Sequence, residues 1–340
     1  MKSVKNSTGE MPGKTSSEMQ KIDLSKHPEF FFGVDHWRQH ASGLSPMRLS
    51  EAAIEFCRKL DPVKALRAQG GAGVQLKIAS DTRCVEFHVE IVSRNDESFR
   101  DCTFALTDDS GETTHRMIPA SEASGVLSWQ LPEGNRNISF FFPWQTEVAL
   151  RDFQIDADAE IKAVPRRRQI QLIGDSITEG MFADKPEASY ANRLGELLGL
   201  DVINSGVGGL KLEPDFIRLA LSPSADVVLL AFGVNDASLQ KTPEQFKHDA
   251  YAALKILTQY PRQKTFLLLP IIWPGENRLV RYPLRLYRNI LRESAASFPS
   301  IRIIEGEELL DGAPENFADG VHPNARGMRK LARALAQVVK

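Results

Sequence analysis

Apolar and polar residues alternate through most of the first half of the chain, from about residue 30 to residue 164. In CVEFHVEIV, residues 84–92, every second side chain is apolar, which is the period of a half-buried β-strand. NISFFFPW and EVALRDFQI are further strand candidates, and turn-prone stretches such as DDSGE and PEGNRN separate the strands. Many short strands joined by polar turns predict a β-sandwich or jelly roll. SEAAIEFCRKL, residues 50–60, is the only helix that we expect in this half.

The pattern changes after VPRRR, residues 164–168, where apolar runs begin to alternate with amphipathic segments. The predicted strands are QIQLI, DVIN, DVVLLAF, TFLLLPII and IRII. The predicted helices are SYANRLGELLG, PEQFKHDAYAALKILTQY, PLRLYRNILRESAASF and a final helix after Asn324. The apolar stripes predicted for the first and last helices comprise Tyr190, Leu194, Leu197 and Leu198, and Met328, Leu331, Leu335 and Val338. This alternation predicts an α/β fold, in which helices cover both faces of a parallel sheet.

The chain of 340 residues therefore divides into three predicted regions. Residues 1–27 are polar and rich in Ser, Gly and Lys, which is the composition of a disordered tail. We expect residues 28–164 to form the all-β sandwich domain and residues 165–340 to form the α/β domain.

The composition and net charge of the chain limit the kinds of partner and location that we expect for it. The chain is 42% hydrophobic and 25% charged with a formal net charge of −2, so no basic excess indicates a nucleic-acid partner. We find no apolar run near the length of about 20 residues that spans a membrane and recognise no export signal, so we expect a cytoplasmic protein. Cys57, Cys84 and Cys102 match no zinc spacing and are expected to be reduced thiols. We expect no metal and no organic cofactor.

Small and polar residues cluster where the predicted strands of the second half end. GDSITEG, residues 174–180, follows the first strand, and NSGVGG, residues 204–209, follows the second. FGVND, residues 232–236, follows the third strand, and DGVHPN, residues 319–324, precedes the last helix. Ligands of parallel α/β sheets bind beyond the carboxyl ends of the strands. The four clusters therefore predict one site at that edge of the sheet.

The four clusters, in this order over about residues 169–340, resemble the four blocks of the SGNH (GDSL-type) hydrolase superfamily. The resemblance implies a flavodoxin-like α/β fold and an esterase, lipase or acyltransferase activity. A preceding sandwich domain is similar to the arrangement in carbohydrate esterases that deacetylate xylan and in certain actinobacterial acyltransferases. In that family the extra domain often walls one side of the cleft. By this analogy we expect loops from residues 30–50 or 130–150 to approach Ser176.

The resemblance implies a catalytic triad of Ser176, His322 and Asp319. A serine hydroxyl is a weak nucleophile until a neighbouring imidazole accepts its proton, and a carboxylate that binds the other ring nitrogen fixes the tautomer. The competing interpretation of Ser176 alone is that it only caps a helix. The G-x-S-x-G elbow of α/β-hydrolases is not matched, because Thr178 occupies the position of its second glycine.

The resemblance also implies an oxyanion hole formed by the Ser176 N–H, the Gly209 N–H and the side-chain amide of Asn235. Gly208 remains a rival to Gly209, because many relatives have Asp after the oxyanion glycine, whereas Leu210 follows here. Asp175 is expected to support the turn after the first strand.

Taken together, the sequence predicts a serine esterase that hydrolyses small acyl esters through an acyl-enzyme, with a short acyl group such as acetyl preferred. A soluble oligosaccharide or metabolite suits the predicted cytoplasmic location better than polymeric xylan. One alternative is an acyltransferase that uses the same triad. The other alternative is a catalytically inactive carbohydrate-binding protein, which the presence of all four block residues disfavours. The oligomeric state is left open.

Overall fold

The computed structural model describes residues 18–94, 101–278 and 281–339, and its N-terminal half is mostly β-structure. The elements of this half are β1 (Met19–Ile22), β2 (Phe31–Phe32), β3 (His36–His40), β4 (Gly43–Met47), α1 (Glu51–Leu60), α2 (Pro62–Gln69), β5 (Gln75–Ser80), β6 (Cys84–Arg94), β7 (Cys102–Asp108), β8 (Thr113–Ile118), β9 (Ser124–Gln130), β10 (Arg136–Phe141), β11 (Thr146–Asp156) and β12 (Ile161–Ala163).

The strands of this half form two antiparallel sheets that pack face to face. One sheet has the order β3-β4-β11-β6-β9, with β1 also paired to β11. The other has the order β12-β5-β10-β7-β8, with β2 also paired to β5. The inner faces share an aromatic core, in which the Phe87 ring of β6 lies 4.8 Å from the Phe140 ring of β10. The predicted β-sandwich is confirmed, whereas a jelly-roll order of connections stays a prediction.

The prediction of a disordered tail up to residue 27 is wrong for residues 18–27. β1 pairs antiparallel with the end of β11, and Leu24 is buried in the core of the sandwich. A four-residue strand is too short to show a period against a polar background, and it is stabilised by hydrogen bonds to a distant partner. The rest of the predicted tail, residues 1–17, lies outside the described residues.

The helix predicted for residues 50–60 is confirmed as α1, which begins after the N-cap Ser50. The expectation of a single helix in this half is wrong, because α2 follows directly. The Asp61 side chain accepts a hydrogen bond from the Val63 N–H, and Pro62 occupies the first helical position. These are ordinary helix-start signals, and the short length of α2 is what hides its pattern.

The C-terminal half is the predicted α/β fold. Its strands are β13 (Gln169–Gly174), β14 (Asp201–Gly206), β15 (Val227–Ala231), β16 (Lys264–Leu268) and β17 (Ile301–Ile304). Its helices are α3 (Ser176–Glu179), α4 (Tyr190–Leu198), α5 (Pro214–Ala220), α6 (Val234–Ser238), α7 (Pro243–Leu257), α8 (Leu284–Ala295) and α9 (Ala325–Val338). The sheet is parallel, with the order β14-β13-β15-β16-β17. Helix α4 packs against α9, whereas α7 packs against α5 and α8, as expected for two helical layers.

Two residues of the predicted apolar stripes, Leu197 and Val338, are exposed. Leu197 is 52% exposed and Val338 is 46% exposed. Both residues lie in the final turn of their helices, and in each case the next residue, Leu198 or Val339, packs against the core instead. Ala332 and Ala336 complete the buried face of α9 instead.

Helices α1 and α2 belong to the packing of the C-terminal half, although they precede the predicted boundary at residue 164. Ile54 and Cys57 of α1 and Ala68 of α2 are buried in the core that surrounds the parallel sheet. The Phe56 ring lies 6.4 Å from the Phe216 ring of α5. The segment between β4 and β5 therefore connects the sandwich directly to the α/β domain. Across the described residues, every helix is too short or too polar to span a bilayer.

Candidate active site

Ser176 occupies the turn between β13 and α3. Asp175 caps α3, because its side chain accepts a hydrogen bond from the Ile177 N–H at 3.0 Å. Gly174 permits the turn, since a Cβ at this position would lie 2.2 Å from the Thr178 Oγ1. Ser176 is 6% exposed. The turn therefore places the hydroxyl at the carboxyl end of the sheet, where the strand ends predict a site.

Ser176, His322 and Asp319 form one hydrogen-bonded chain. The Ser176 Oγ lies 2.8 Å from the His322 Nε2, and the His322 Nδ1 lies 2.7 Å from the Asp319 Oδ2. A carboxylate only accepts hydrogen bonds, so the Nδ1 of His322 carries the ring proton and its Nε2 is an acceptor. The Ser176 hydroxyl therefore donates to the Nε2. This geometry allows a proton to pass from the serine to the imidazole.

Asp319 accepts hydrogen bonds from the backbone of its own loop as well as from the imidazole. Its Oδ1 accepts the N–H groups of Val321 at 3.0 Å and His322 at 2.8 Å, which leaves Oδ2 for the imidazole. Burial alone raises the pKa of Asp319, but these hydrogen bonds outweigh it and hold the pKa below the ordinary value of 3.8. Asp319 is therefore a carboxylate at neutral pH.

The turn after β14 carries the two candidate oxyanion glycines. Gly208 donates its N–H to the Glu179 Oε2 at 2.9 Å, so this proton is already used. Gly209 has a φ of +73°, which favours glycine. Within the described part of the chain, the N–H groups of Ser176 and Gly209 donate to no protein acceptor.

Asn235 lies on α6, directly after β15. Its side-chain Nδ2 donates to the Leu210 carbonyl oxygen at 3.1 Å, which ties the third turn to the second. A primary amide has two N–H groups, so one proton remains for a ligand. The three turns that carry the predicted oxyanion donors thus lie at the ends of the adjacent strands β13, β14 and β15.

Two further carboxyl groups are buried beneath the site. Burial, together with the nearby Asp236, raises the pKa of Asp175 to about 7, although the hydrogen bond from Ile177 acts in the opposite direction. Burial likewise raises the pKa of Asp236 to about 6, although Lys241 and the Leu212 N–H act in the opposite direction. Neither group takes part in the hydrogen-bonded chain from Ser176 to Asp319. The contact that Asp175 makes within the turn is the N-cap hydrogen bond from Ile177.

Both predicted loops of the N-terminal half reach the elements around Ser176. From the first loop, the Arg48 Nη1 donates to the Asn204 carbonyl oxygen at 2.9 Å, and its Nη2 lies 3.8 Å from the Glu179 Oε1. From the second loop, Trp144 packs in a small apolar cluster with Met181, just after α3. Both loops therefore contact segments next to the Ser176 turn, and an approach to Ser176 itself stays a prediction.

The same apolar cluster extends to the imidazole. Phe182 packs against the cluster of Ala72, Trp144 and Met181, and its ring centroid lies 5.2 Å from that of His322. Phe182 has a φ of +63°, which is unfavourable for a bulky side chain and requires support from its surroundings. An aromatic wall formed by both halves of the protein thus flanks the catalytic candidate His322.

Sequence reasoning missed the contributions of Glu179, Arg48 and Phe182 to this site. Glu179 and Phe182 could have been suspected from their nearness to Ser176 in the chain, whereas no local signal marks Arg48. Trp273 is packed in the core of the α/β domain. Among the described residues, no group of three or more His, Cys, Asp or Glu side chains could hold a metal ion.

Comparison with known proteins agrees with this architecture. Residues 172–330 match the model of the GDSL-like Lipase/Acylhydrolase family. A salicylyl-acyltransferase from a tetracycline biosynthetic pathway superposes with a TM-score of 0.79 at 17% identity, covering 95% of this chain and 96% of that chain. No curated protein sequence matches the chain.

Two solved esterases share the fold at lower similarity. A family two carbohydrate esterase from Clostridium thermocellum, in complex with cellohexaose, has a TM-score of 0.64 at 16% identity, covering 80% of this chain and 93% of that chain. An acetyl xylan esterase from Butyrivibrio proteoclasticus has a TM-score of 0.62 at 14% identity, covering 94% and 98%. These likenesses show that an N-terminal β-rich region preceding an SGNH-like domain is a recurring arrangement. Residues 172–330 therefore form a C-terminal domain that matches the GDSL-like lipase/acylhydrolase family model.

Proposed function

We propose that this protein is a serine esterase that hydrolyses small acyl esters through a covalent acyl-enzyme. The observation that carries the proposal is the chain of short hydrogen bonds from the Ser176 Oγ through His322 to Asp319. It contains a nucleophile, a base and an orienting carboxylate in the order that acyl transfer requires. A serine that only capped a helix would not need an imidazole at 2.8 Å.

In the proposed acylation step, the Ser176 Oγ attacks the ester carbonyl carbon while the His322 Nε2 takes the hydroxyl proton. The carbonyl π electrons move onto oxygen and form a tetrahedral oxyanion. When this intermediate collapses, the bond to the leaving alcohol breaks and His322 donates the proton to that alcohol. Water then repeats the sequence on the acyl-enzyme, releases the carboxylic acid and restores Ser176.

The proposed oxyanion hole consists of the Ser176 N–H, the Gly209 N–H and the second amide proton of Asn235. Gly209 is favoured over Gly208 because the Gly208 N–H is already bonded to Glu179. Donors fixed before the reaction need no reorganisation when charge develops on the oxygen, and removing one costs about 10²–10³-fold in rate.

The proposed leaving group is the alcohol of a sugar or similar metabolite, and the proposed acyl group is short. His322 protonates the leaving oxygen, so the alcohol lies on the side of the site that Phe182 flanks. An aromatic ring suits the apolar face of a sugar or another cyclic alcohol. The solved proteins of similar fold include a carbohydrate esterase bound to cellohexaose and an acetyl xylan esterase.

Acyl transfer to an alcohol other than water is the second candidate. The specific observation in its favour is that a solved salicylyl-acyltransferase shares the fold over 95% of this chain. The triad chemistry is the same in both cases, so the two functions differ only in the acceptor that resolves the acyl-enzyme. Product analysis with sugar and alcohol acceptors separates them, because transfer yields a new ester where hydrolysis yields the free acid.

The test of the proposal is hydrolysis of p-nitrophenyl acetate, butyrate and octanoate by the wild type and Ser176→Ala. We expect the wild type to cleave acetate fastest and the variant to fall to the background rate. The matched control is Ser189→Ala, which removes another buried helix-capping serine of the same domain. A Ser176→Ala protein with wild-type turnover refutes the assignment of the nucleophile.

A further inference from the structure

A fully buried ion pair lies behind the turn that carries Gly208 and Gly209. The side chains of Arg48 and Glu179 both have 0% exposure, and the Arg48 Nη2 lies 3.8 Å from the Glu179 Oε1. Burying charges costs several kcal/mol per ion unless partners compensate them, so an apolar pair would stabilise this position as well. The presence of two charged side chains at this position therefore indicates a role other than packing.

Glu179 has a direct contact with the catalytic turn. Its Oε2 accepts the Gly208 N–H at 2.9 Å. This bond fixes the peptide group on the amino side of Gly208, and the next peptide group carries the N–H of Gly209. The Gly209 N–H lies in the plane of that next peptide group, so its direction depends on how the Gly208 backbone is held.

Arg48 is anchored by backbone oxygens from both halves of the protein. Its guanidinium donates to the carbonyl oxygens of Gly70 at 2.7 Å, Asn204 at 2.9 Å and Arg67 at 3.0 Å. Asn204 in turn donates its side-chain Nδ2 to the Thr178 carbonyl oxygen at 2.8 Å, which lies on α3 beside Glu179. The N-terminal half therefore supplies the positive charge of Arg48 opposite Glu179, and the hydrogen bonds to backbone oxygens fix the position of this guanidinium.

Little space is available for these groups to move. A Cβ on Gly208 would lie 2.8 Å from the Arg67 Cδ and 2.9 Å from the Glu179 Oε2. A Cβ on Gly206 would lie 2.3 Å from the Glu179 backbone nitrogen. The turn after β14 and the end of α3 are thus packed backbone to backbone, so a small shift of Glu179 displaces the glycine turn.

We propose that Glu179 is a positioning residue for the oxyanion hole and that Arg48 supplies its counter-charge from the N-terminal half. This inference rests on the proposed esterase function. The Glu179 carboxylate holds the Gly208 peptide so that the Gly209 N–H points at the developing oxyanion. The N-terminal half therefore completes the catalytic geometry, beyond forming a wall of the cleft.

The experiment measures kcat and KM on p-nitrophenyl acetate, together with the thermal unfolding midpoint. The variants are Glu179→Gln, which keeps an acceptor for the Gly208 N–H, and Glu179→Ala, which removes it. The matched control is Lys77→Met, which breaks another largely buried ion pair between the two halves. The Lys77 Nζ lies 2.9 Å from the Asp201 Oδ1, away from the catalytic turns.

We expect Glu179→Ala to lose about 10–10²-fold in kcat with KM within about threefold of the wild type, because misplacing one oxyanion donor weakens only the transition state. Glu179→Gln should recover most of that loss. Lys77→Met should lower the unfolding midpoint but leave kcat within about twofold, since it touches no oxyanion donor.

Arg48→Met tests the counter-charge, because it removes the guanidinium that faces the buried Glu179 carboxylate. We expect this variant to lose both stability and kcat. We expect the double variant Arg48→Met/Glu179→Gln to recover part of both, because it removes both charges of the Arg48–Glu179 pair instead of one. The double variant also covers the case in which Arg48→Met alone does not fold.

The outcomes distinguish this inference from the proposed function. A folded Glu179→Ala protein with wild-type kcat, or with a loss no larger than that of Lys77→Met, overturns the positioning role alone. A fluorophosphonate probe reports on Ser176 independently of the ester chosen. A wild type that neither hydrolyses the ester nor reacts with this probe overturns both the proposed function and the positioning role.

Discussion

Replacing Asp319 by Asn is the substitution for which the structure makes the most specific prediction. The Asp319 Oδ1 already accepts two backbone N–H groups, from Val321 and His322. In Asp319→Asn the carbonyl oxygen is held in that place, because the amide nitrogen cannot accept from those donors. The NH₂ group must therefore face the His322 Nδ1.

This arrangement inverts the tautomer of His322. An NH₂ donor at 2.7 Å requires an unprotonated Nδ1, so the ring proton moves to Nε2 and points at the Ser176 Oγ. A protonated Nε2 cannot take the serine proton. We expect kcat to fall about 10⁴-fold, the magnitude measured for the equivalent substitution in a serine protease triad.

Stability should respond differently from activity. Asp319→Asn keeps the two backbone hydrogen bonds, so we expect a loss of no more than about 1 kcal/mol in the free energy of unfolding. Asp319→Ala removes both bonds and should cost about 1–2 kcal/mol, toward the lower end because the side chain is 37% exposed. The Ala variant leaves the tautomer free, so its kcat should be at least as high as that of the Asn variant.

The assay combines kcat on p-nitrophenyl acetate with urea unfolding of the wild type and both variants. The reasoning is refuted if Asp319→Asn retains more than about a tenth of wild-type kcat, since the inverted tautomer allows no such residual activity. It is also refuted if Asp319→Asn is less stable than Asp319→Ala, because the retained backbone bonds would then have no effect.

Three further outcomes follow from the geometry of the site. Burial raises the pKa of Asp175 from 3.8 to about 7, so between these pH values the native state binds more protons than the unfolded state. The free energy of unfolding therefore falls as pH rises through that window. Asp175→Asn should flatten the dependence of the unfolding midpoint on pH. Gly209→Ala should lower kcat about 10²-fold in steady-state kinetics. The φ of Gly209 is +73°, and a Cβ at this position would lie 3.1 Å from the Arg67 Nη1. Phe182→Ala should raise KM more than it lowers kcat, because the ring flanks the leaving-group side of His322, and a KM unchanged from the wild type contradicts that placement.

The parallel sheet and its helices could be predicted from the sequence because each element carries a long, clear pattern. The helix α7 is an example, with Thr242 as N-cap and Pro243 at its first position. The strands β13, β14 and β15 are equally plain, and the glycine-containing clusters mark their carboxyl ends. The clusters thus marked the turns that carry Ser176, Asn235 and the Asp319–His322 loop. The roles of these residues came from the family resemblance and stay a prediction.

The elements that sequence reasoning missed depend on distant partners. β1 is four residues long and is stabilised by the ladder with β11, which lies more than a hundred residues away in the chain. Arg48 has no motif, and its importance appears only when Asn204 and Glu179 are brought beside it. The exposure of Leu197 and Val338 shows the same limit, because a helical period does not reveal which residue of a final turn contacts the packing partner.

The choice between Gly208 and Gly209 illustrates what a structure adds to a motif. Both glycines belong to one small cluster, and the family resemblance implies Gly209 but leaves Gly208 as a rival. The bond from the Gly208 N–H to the Glu179 Oε2 favours Gly209, because one proton cannot serve the carboxylate and the oxyanion together. The relevant contact joins two turns that are separate in the sequence.

The measurement that tests the central claim most directly is mass spectrometry of the acyl-enzyme. The wild type is mixed rapidly with p-nitrophenyl acetate, quenched with acid, digested and sequenced, with Ser176→Ala treated in parallel. The proposed mechanism predicts one acetyl group on the peptide that contains Ser176, formed as fast as the first p-nitrophenol is released and absent from the variant. Acetyl on another residue at that rate, or turnover by Ser176→Ala, contradicts the account.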